Sequence, residues 1–128
     1  MTHHYQCLIV EDEAISALSL KVEFENAGLG QADIVASGEQ ALAYLENNKP
    51  DIVLMDLRLA GQLDGFEVTL KISEDYAIPV IVITGCPDKR LIDLSGELNK
   101  VSYLVKPLRT EMLLNKIRSL LEAESQDS

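Results

Sequence analysis

Short runs of apolar residues recur along the chain, and each ends in or precedes a polar group. The clearest runs cover residues 7–10, 52–55, 79–84 and 101–105, and a weaker one covers residues 33–36. An unbroken apolar run of this length is typical of a strand that is buried on both faces of a parallel sheet. The pattern therefore predicts five strands.

Between these runs, apolar residues recur at the spacing of amphipathic helices. Helices are predicted over residues 14–27, after Ser37, after Asp64, over residues 88–99 and over residues 109–124. The fourth is the weakest, because its apolar pattern is poor and Ser95 and Gly96 interrupt it. Alternating strands and helices predict an α/β fold, a parallel sheet with helices on both faces. We expect one domain over residues 1–124 and a frayed tail at 125–128.

Net charge and cysteine content limit the partners and the cellular setting that this chain can have. The formal net charge of −10 over 128 residues argues against sequence-blind binding to nucleic acid or to an anionic membrane surface. Two cysteines, Cys7 and Cys86, do not make a disulfide framework, so we expect a reduced, cytoplasmic setting. No signal peptide and no run of membrane-spanning length is visible in the sequence.

Polar groups at the predicted strand ends bring candidate chemistry to one edge of the sheet. They are Glu11, Asp12, Asp56, Thr84 and Lys106. Ligands of open α/β sheets bind just outside the carboxyl ends of the strands, so these groups are expected to converge. Neighbouring carboxylates repel one another, and a divalent cation that prefers oxygen, such as Mg²⁺, relieves that repulsion.

A cation, an ammonium group and a hydroxyl beside a carboxylate form a cradle for a phosphoryl group, whose oxygens carry the charge that develops during transfer. Asp56 is then the candidate nucleophile and would form an aspartyl phosphate. Lys106 and Thr84 would each bind a phosphoryl oxygen. The plain alternatives are a solvated turn or helix cap for the acids and an ordinary strand residue for Thr84.

With these residues in this order, the sequence resembles the receiver domain of two-component response regulators over nearly its whole length. The acidic pair after the first strand, Asp56 after the third, Thr84 after the fourth and Lys106-Pro107 after the fifth all fall at the family's spacing. The resemblance implies a flavodoxin-like, doubly wound (βα)5 fold with the strand order 2-1-3-4-5. It also implies a signalling protein that catalyses only its own phosphorylation and dephosphorylation, not an enzyme.

The resemblance further implies a role for each residue at the reactive end. Asp56 would accept a phosphoryl group from a phosphohistidine on a sensor histidine kinase or a histidine phosphotransfer protein. Mg²⁺, with Mn²⁺ as a substitute, would be bound by the Asp12 and Asp56 side chains and by the backbone carbonyl of Arg58. Glu11 would act mainly through a metal-bound water.

A conformational switch is also implied. Phosphorylation would draw Thr84 inward, and Tyr103, at the family's switch position, would follow into the space left behind. That movement would alter the surface made by the helix over residues 88–99 and the fifth strand, where a downstream protein would bind or two copies would dimerise. Plain packing is the alternative role for Tyr103. The Lys106-Pro107 peptide is expected to be cis.

Two features depart from the family's pattern. The Met-Pro pair that usually follows the phosphorylated aspartate is absent, and the loop over residues 59–63 is one residue longer. Arg58 and Cys86 occupy positions that tune phosphate hydrolysis in relatives, and the sign of their effect here does not follow from the sequence. A redox role for Cys86 has only the nearby Lys89 and Arg90 in its favour.

The first helix carries a second apolar face that one sheet cannot cover. Leu20 and Phe24 belong to the face expected to pack, while Ile15, Leu18 and Val22 lie nearly opposite. Because this surplus face begins beside Asp12, we predict that it docks the helical protein that carries the phosphodonor histidine. The alternatives are a wrong assignment of the buried face or an exposed stripe without function.

Three other functions are open to a chain of this pattern. It could be the receiver of a longer, DNA-binding regulator. A phosphatase of the haloacid dehalogenase type also places Asp, Thr and Lys at strand ends with Mg²⁺, but it needs a second acid where this chain has Arg58. A flavodoxin-like nucleotide binder would need a glycine- or hydroxyl-rich loop after the first strand, and Glu11-Asp12-Glu13 would repel phosphate there.

Overall fold

The computed structural model describes residues 4–59, 61 and 63–126, with side chains as far as Glu124. In this part of the chain, strands and helices alternate strictly. The strands are β1 (Tyr5–Val10), β2 (Gly30–Val35), β3 (Ile52–Asp56), β4 (Val80–Thr84) and β5 (Val101–Val105). The helices are α1 (Ala14–Asn26), α2 (Gly38–Asn47), α3 (Gly65–Asp75), α4 (Lys89–Leu94) and α5 (Thr110–Gln126).

The strands form one parallel sheet in the order β2-β1-β3-β4-β5, which confirms the expected flavodoxin-like topology. β3 is the central strand, hydrogen-bonded to β1 on one side and to β4 on the other. All of its residues are buried, as are those of β4. The carboxyl ends of the five strands therefore meet at one edge, and the central ones are held on every side.

The sheet divides the interior into two hydrophobic layers. Because side chains alternate along a strand, Leu8 and Val10 face one layer while Cys7 and Ile9 face the other. Helices α2, α3 and α4 complete the first layer, and α1 and α5 complete the second. Burial of the three inner strands on both sides explains their unbroken apolar runs and fixes their ends in place.

Three helices begin at side-chain caps that the sequence supplies. Ser37 accepts a hydrogen bond from the Gln40 backbone N–H at 3.1 Å, and the Gln40 side chain accepts one from the Ala36 N–H at 2.7 Å. Asp64 and Asp88 cap α3 and α4 in the same manner, accepting bonds from N–H groups three residues on. Such reciprocal and acidic caps satisfy the free donors at a helix start.

The second strand and the fourth helix differ from the prediction. β2 begins at Gly30, because that glycine, at φ +146°, lies so close to Tyr5 that a Cβ would collide with its backbone. No apolar residue marks that start, so the prediction began three residues too late. α4 ends at Leu94, because Ser95 takes an extended backbone conformation, so the helix predicted over residues 88–99 is wrong in its second half.

The last helix runs further than predicted. α5 continues to Gln126, so Ser125 and Gln126 have helical backbone where a frayed tail was expected. Residues 127–128 of that tail lie outside the described part of the chain. In the described residues, no helix combines the length and the apolar character needed to cross a bilayer.

Candidate functional site

Asp56 is the last residue of the central strand, and its side chain opens onto the edge of the sheet. It is only 8% exposed, and the Arg58 backbone N–H donates a hydrogen bond to its Oδ1 at 3.0 Å. Its backbone pairs in register with Ile83 of β4. A carboxylate attached to a strand this well held has little positional freedom, which is what a nucleophile requires.

Two acids from the end of β1 join Asp56. Carboxylate oxygens of Glu11, Asp12 and Asp56 all lie within 4.8 Å of one another. Glu11 and Asp56 are buried, and Asp12 is exposed. An all-oxygen set with one open side fits Mg²⁺, which takes few carboxylates and keeps several waters, and it also fits Mn²⁺.

Glu11 has a strongly perturbed acidity. Burial raises its pKa to about 7, and a hydrogen bond with the Asp56 side chain adds to that rise. A hydrogen bond from the Glu13 backbone N–H to Glu11 Oε1, at 3.0 Å, acts in the opposite direction. Glu11 thus keeps its proton to a higher pH than an ordinary glutamate does, and a bound cation would displace it.

Lys106 and Thr84 approach the acids from the other half of the edge. Lys106 directly follows β5, and its Nζ lies 3.9 Å from Asp56 Oδ1 with about half of the side chain exposed. Thr84 is the last residue of β4 and is buried, but its Oγ1 accepts a hydrogen bond from the Cys86 backbone N–H at 3.2 Å. The structure thus brings Lys106 to Asp56 and leaves the Thr84 hydroxyl turned toward its own loop.

The three acids and Lys106 line a pocket of about 590 Å³. Its wall includes Arg58, as well as Ser16 and Asp64, to which the sequence analysis gave no role in the site. Ser16 lies in the first turn of α1, which begins two residues after Asp12, so its closeness in sequence to the acids could have identified it. Metal ligation by the Arg58 carbonyl stays a prediction, since the contact observed is that of its amide. Ala60 and Gln62, in the lengthened loop, lie outside the described residues.

Two further expectations concern the edge around β5. The Lys106-Pro107 peptide is cis, as predicted. Tyr103 lies on β5, is partly buried and packs against the layer that includes Leu91 of α4. That placement is compatible with both roles considered for Tyr103, so its switch role stays a prediction.

The surplus face of α1 is exposed, and the opposite face packs. Ile15, Leu18 and Val22 are 81%, 56% and 46% exposed, whereas Phe24 is 1% exposed. A groove lies along the three exposed residues. Ile15 also lines a neighbouring cavity of about 420 Å³ that reaches Lys106. The apolar stripe is therefore continuous with the edge that carries the acids.

Comparison with known proteins places these features in a family. The model of the response regulator receiver domain matches residues 7–118. The chain is 37% identical over 128 residues to the heme response regulator HssR of Staphylococcus haemolyticus, covering 95% of this chain and 55% of that one. It is 35% identical over 125 residues to the transcriptional regulatory protein AfsQ1 of Streptomyces coelicolor, covering 94% and 54%. The chain thus spans about half the length of these relatives.

Solved structures agree with this match. The receiver domain of the sensor histidine kinase PA1611 from Pseudomonas aeruginosa, which has a magnesium ion coordinated in its active site cleft, superposes with a TM-score of 0.79 at 26% identity, covering 94% of this chain and 99% of that one. A response regulator receiver domain protein from Methanospirillum hungatei gives a TM-score of 0.85 at 24% identity, covering 98% and 100%. The second likeness concerns the fold alone.

Proposed function

Because the chain belongs to the response regulator receiver family, we propose that Asp56 accepts a phosphoryl group from a phosphohistidine and thereby switches the binding of a partner protein. One observation carries the proposal: three carboxylate groups lie within 4.8 Å of one another, and Lys106 Nζ lies 3.9 Å from Asp56 Oδ1. Acids, a nucleophile and an ammonium group thus surround one small volume. A second acid two residues after Asp56, as a phosphatase of the dehalogenase type needs, is replaced by Arg58.

In this reaction an Asp56 oxygen attacks phosphorus as the bond between phosphorus and the donor histidine breaks, which leaves an acyl phosphate on Asp56. The hydrogen bond from the Arg58 amide orients the carboxylate. Lys106 binds a phosphoryl oxygen. The Thr84 hydroxyl accepts a hydrogen bond from the Cys86 amide and keeps its own proton, which it would donate to a second phosphoryl oxygen as it moves toward the phosphoryl group.

Asp12 and Asp56 would hold Mg²⁺ with the Arg58 carbonyl, and Glu11 would act through a metal-bound water. The bound cation would supply positive charge to the phosphoryl oxygens, where charge accumulates. The oxygen donor set observed here fits that ion. No outside substrate is turned over in this proposal, so the chain acts as a signalling component. Its free cysteines, Cys7 and Cys86, fit a reduced, cytoplasmic setting.

The output follows from the movement of Thr84. Thr84 pairs in register with Val105 of β5, and Tyr103 lies two residues earlier on that strand. Withdrawal of Thr84 toward the phosphoryl group frees space that Tyr103, only partly buried, can enter. The surface of α4 and β5 then changes shape, and a downstream protein or a second copy of the chain binds there. The net charge of −10 argues against sequence-blind binding of nucleic acid by this chain.

The proposal is tested by phosphorylation with a small-molecule donor. The protein is incubated with acetyl phosphate, with and without Mg²⁺, and read by intact mass. We expect one added phosphate that requires the metal and that disappears in Asp56→Asn. Labelling that is independent of Mg²⁺, or that persists in Asp56→Asn, would place the chemistry elsewhere.

The exposed stripe Ile15, Leu18 and Val22 would dock the helical protein that presents the donor histidine. Its support is its exposure and its continuity with the cavity that reaches Lys106. Leu18→Asp should slow transfer from a phosphorylated histidine phosphotransfer protein that labels the wild type, because a charge replaces an apolar contact. Labelling by acetyl phosphate should be unchanged, and an equal loss in both assays would refute the docking role.

The relatives favour one alternative context. Several are about twice as long as this chain, and MtrA of Mycobacterium tuberculosis is named a DNA-binding response regulator. We propose as the second possibility that this receiver serves such a longer regulator. Detection of the native protein by immunoblot in cell extract, with its mass measured against the purified 128-residue chain, separates the two contexts.

A further inference from the structure

The connection between β3 and α3 forms one wall of the pocket at Asp56. Leu57, Arg58 and Leu59 line the pocket there. The connection is closed at its base, since the Gly65 N–H donates to the Leu57 carbonyl at 3.2 Å, and a Cβ on Gly65 would lie 2.6 Å from the Asp56 carbonyl oxygen. One side of this loop is therefore fixed directly to the strand that carries the nucleophile.

The outer part of the loop is held by a side chain from another element. Glu39 lies in the first turn of α2, and its Oε1 accepts a hydrogen bond from the Leu63 backbone N–H at 3.2 Å. Gly61 approaches the same carboxylate so closely that a Cβ there would lie 2.6 Å from Oε2 and 3.1 Å from Oε1. Gly61 also has φ +102°, which other residues adopt only with strain.

The start of α2 offers a firm base for this contact. Its cap is formed by Ser37 and Gln40, so the Glu39 side chain is not needed to cap the helix. Gly38 is buried, and a Cβ on it would lie 2.4 Å from a Val68 methyl group and 3.2 Å from Leu63 Cβ. The first turn of α2 therefore packs tightly against both the loop and α3, and Glu39 projects from a fixed backbone.

We propose that Glu39 is a positioning residue for the phosphorylation site. By accepting the hydrogen bond from the Leu63 N–H, Glu39 holds the outer part of the loop, while the hydrogen bond between Gly65 and Leu57 holds its base. Together the two contacts keep the backbone of Arg58 beside Asp56. The inference rests on the proposed function, in which the Arg58 carbonyl is a metal ligand. Without the Glu39 contact that carbonyl is free to shift, and Mg²⁺ binds less tightly.

The test compares Glu39→Ala with Glu39→Gln. Glutamine retains an oxygen that can accept the Leu63 N–H bond but has no charge, so the pair separates the hydrogen bond from the electrostatic effect of one acid. Glu46→Ala, which removes an exposed acid from the same helix, serves as the matched control. Mg²⁺ affinity is measured by isothermal titration calorimetry, and exchange of the Leu63 amide proton by NMR without metal.

In Glu39→Ala we expect the Leu63 amide to exchange roughly three- to tenfold faster, the value of one partly solvated hydrogen bond. We expect Mg²⁺ affinity to fall roughly tenfold, the lower end of the effect of residues that orient metal ligands. Glu39→Gln should retain most of the protection of the Leu63 amide and most of the Mg²⁺ affinity. Glu46→Ala should match the wild type in both measurements. A thermal melt checks that each variant is folded, and Gly61→Ala, which pushes on the same carboxylate, provides a second disturbance of the contact.

Two results would overturn the proposal. One is an unchanged Mg²⁺ affinity in Glu39→Ala. The other is equal weakening in Glu39→Ala and Glu39→Gln, which would show that only charge matters. Failure of the proposed function has a different signature, because wild-type protein would then bind no Mg²⁺ and take no phosphate. In that case this inference falls with it, while the Leu63 exchange still reports whether the loop contact exists.

Discussion

The two halves of the reactive edge are assembled to different degrees. On the β1–β3 half, oxygens of Glu11, Asp12 and Asp56 already lie within 4.8 Å of one another. On the β4–β5 half, Lys106 Nζ lies 3.9 Å from Asp56 Oδ1, which is a long ion pair. The Thr84 hydroxyl there accepts a hydrogen bond from the Cys86 amide.

The difference between the acids and Lys106 follows from how each is supported. The acids follow two inner strands whose side chains are buried in both hydrophobic layers, and Asp56 receives a backbone hydrogen bond. Lys106 follows the edge strand β5 and reaches the site on a long, half-exposed side chain. The half that would bind metal is therefore organised in advance, whereas the half that would bind the phosphoryl group has to close around it.

The largest effect that separates the two halves is expected from Lys106→Ala. Phosphorylation by acetyl phosphate should slow roughly a hundredfold, because a charge aimed at a phosphoryl oxygen is lost. Mg²⁺ affinity should be retained, since a half-exposed ion pair contributes little to the arrangement of the acids. The rate is read by intact mass and the affinity by calorimetry. A parallel loss of both would show that the two halves are not separate.

Asp12→Asn is the reciprocal change and should have the next largest effect. It removes one carboxylate from the preorganised half, so Mg²⁺ affinity should fall roughly ten- to a hundredfold. Phosphorylation at low Mg²⁺ should fall in step and recover when Mg²⁺ is raised to saturation. If saturating metal does not restore the rate, Asp12 has a role in the chemistry beyond binding the ion.

The smallest effect concerns pH. Because burial raises the pKa of Glu11 to about 7, the folded protein keeps a proton that the unfolded chain has lost above its ordinary value of 4.5. Without metal, stability should therefore fall as the pH rises from about 4.5 to 7. Mg²⁺ competes with that proton, so its affinity should rise by up to about tenfold between pH 6 and 8.

Glu11→Gln provides the control for this pH dependence. The variant has no proton to release at position 11, so its Mg²⁺ affinity should rise less between pH 6 and 8 than that of the wild type. Variant and wild type should therefore differ less in affinity at pH 6 than at pH 8. Calorimetric titrations at three pH values suffice. A slope that is the same in wild type and variant would assign the titration to another group.

The inner part of the fold could be predicted from sequence, and its periphery could not. β3 and β4 lie where the apolar runs placed them, to within one residue, because a strand buried on both faces leaves a strong signal. Gly30 and Leu94 were missed as boundaries, because a close backbone approach and a change to extended geometry leave no apolar pattern.

The features of the site also divide into those that the sequence could predict and those that it could not. That Asp56 and Lys106 share one edge could be inferred from their positions after parallel strands. The orientation of the Thr84 hydroxyl could not be inferred, since a rotamer decides it. The contact of Glu39 with Leu63 could not be inferred either, because it joins residues 24 positions apart through a loop without periodicity.

Gly65 sets a limit on how this loop can diverge. Any side chain there would meet the Asp56 carbonyl oxygen and Leu57 Cα, which are backbone atoms that no change of rotamer can move aside. Arg58, by contrast, is exposed. Saturation mutagenesis with selection for folded protein should therefore recover glycine alone at position 65 and many residue types at position 58. Exposed loop positions such as Arg58 can therefore vary, whereas the junction of the loop with α3 admits one amino acid.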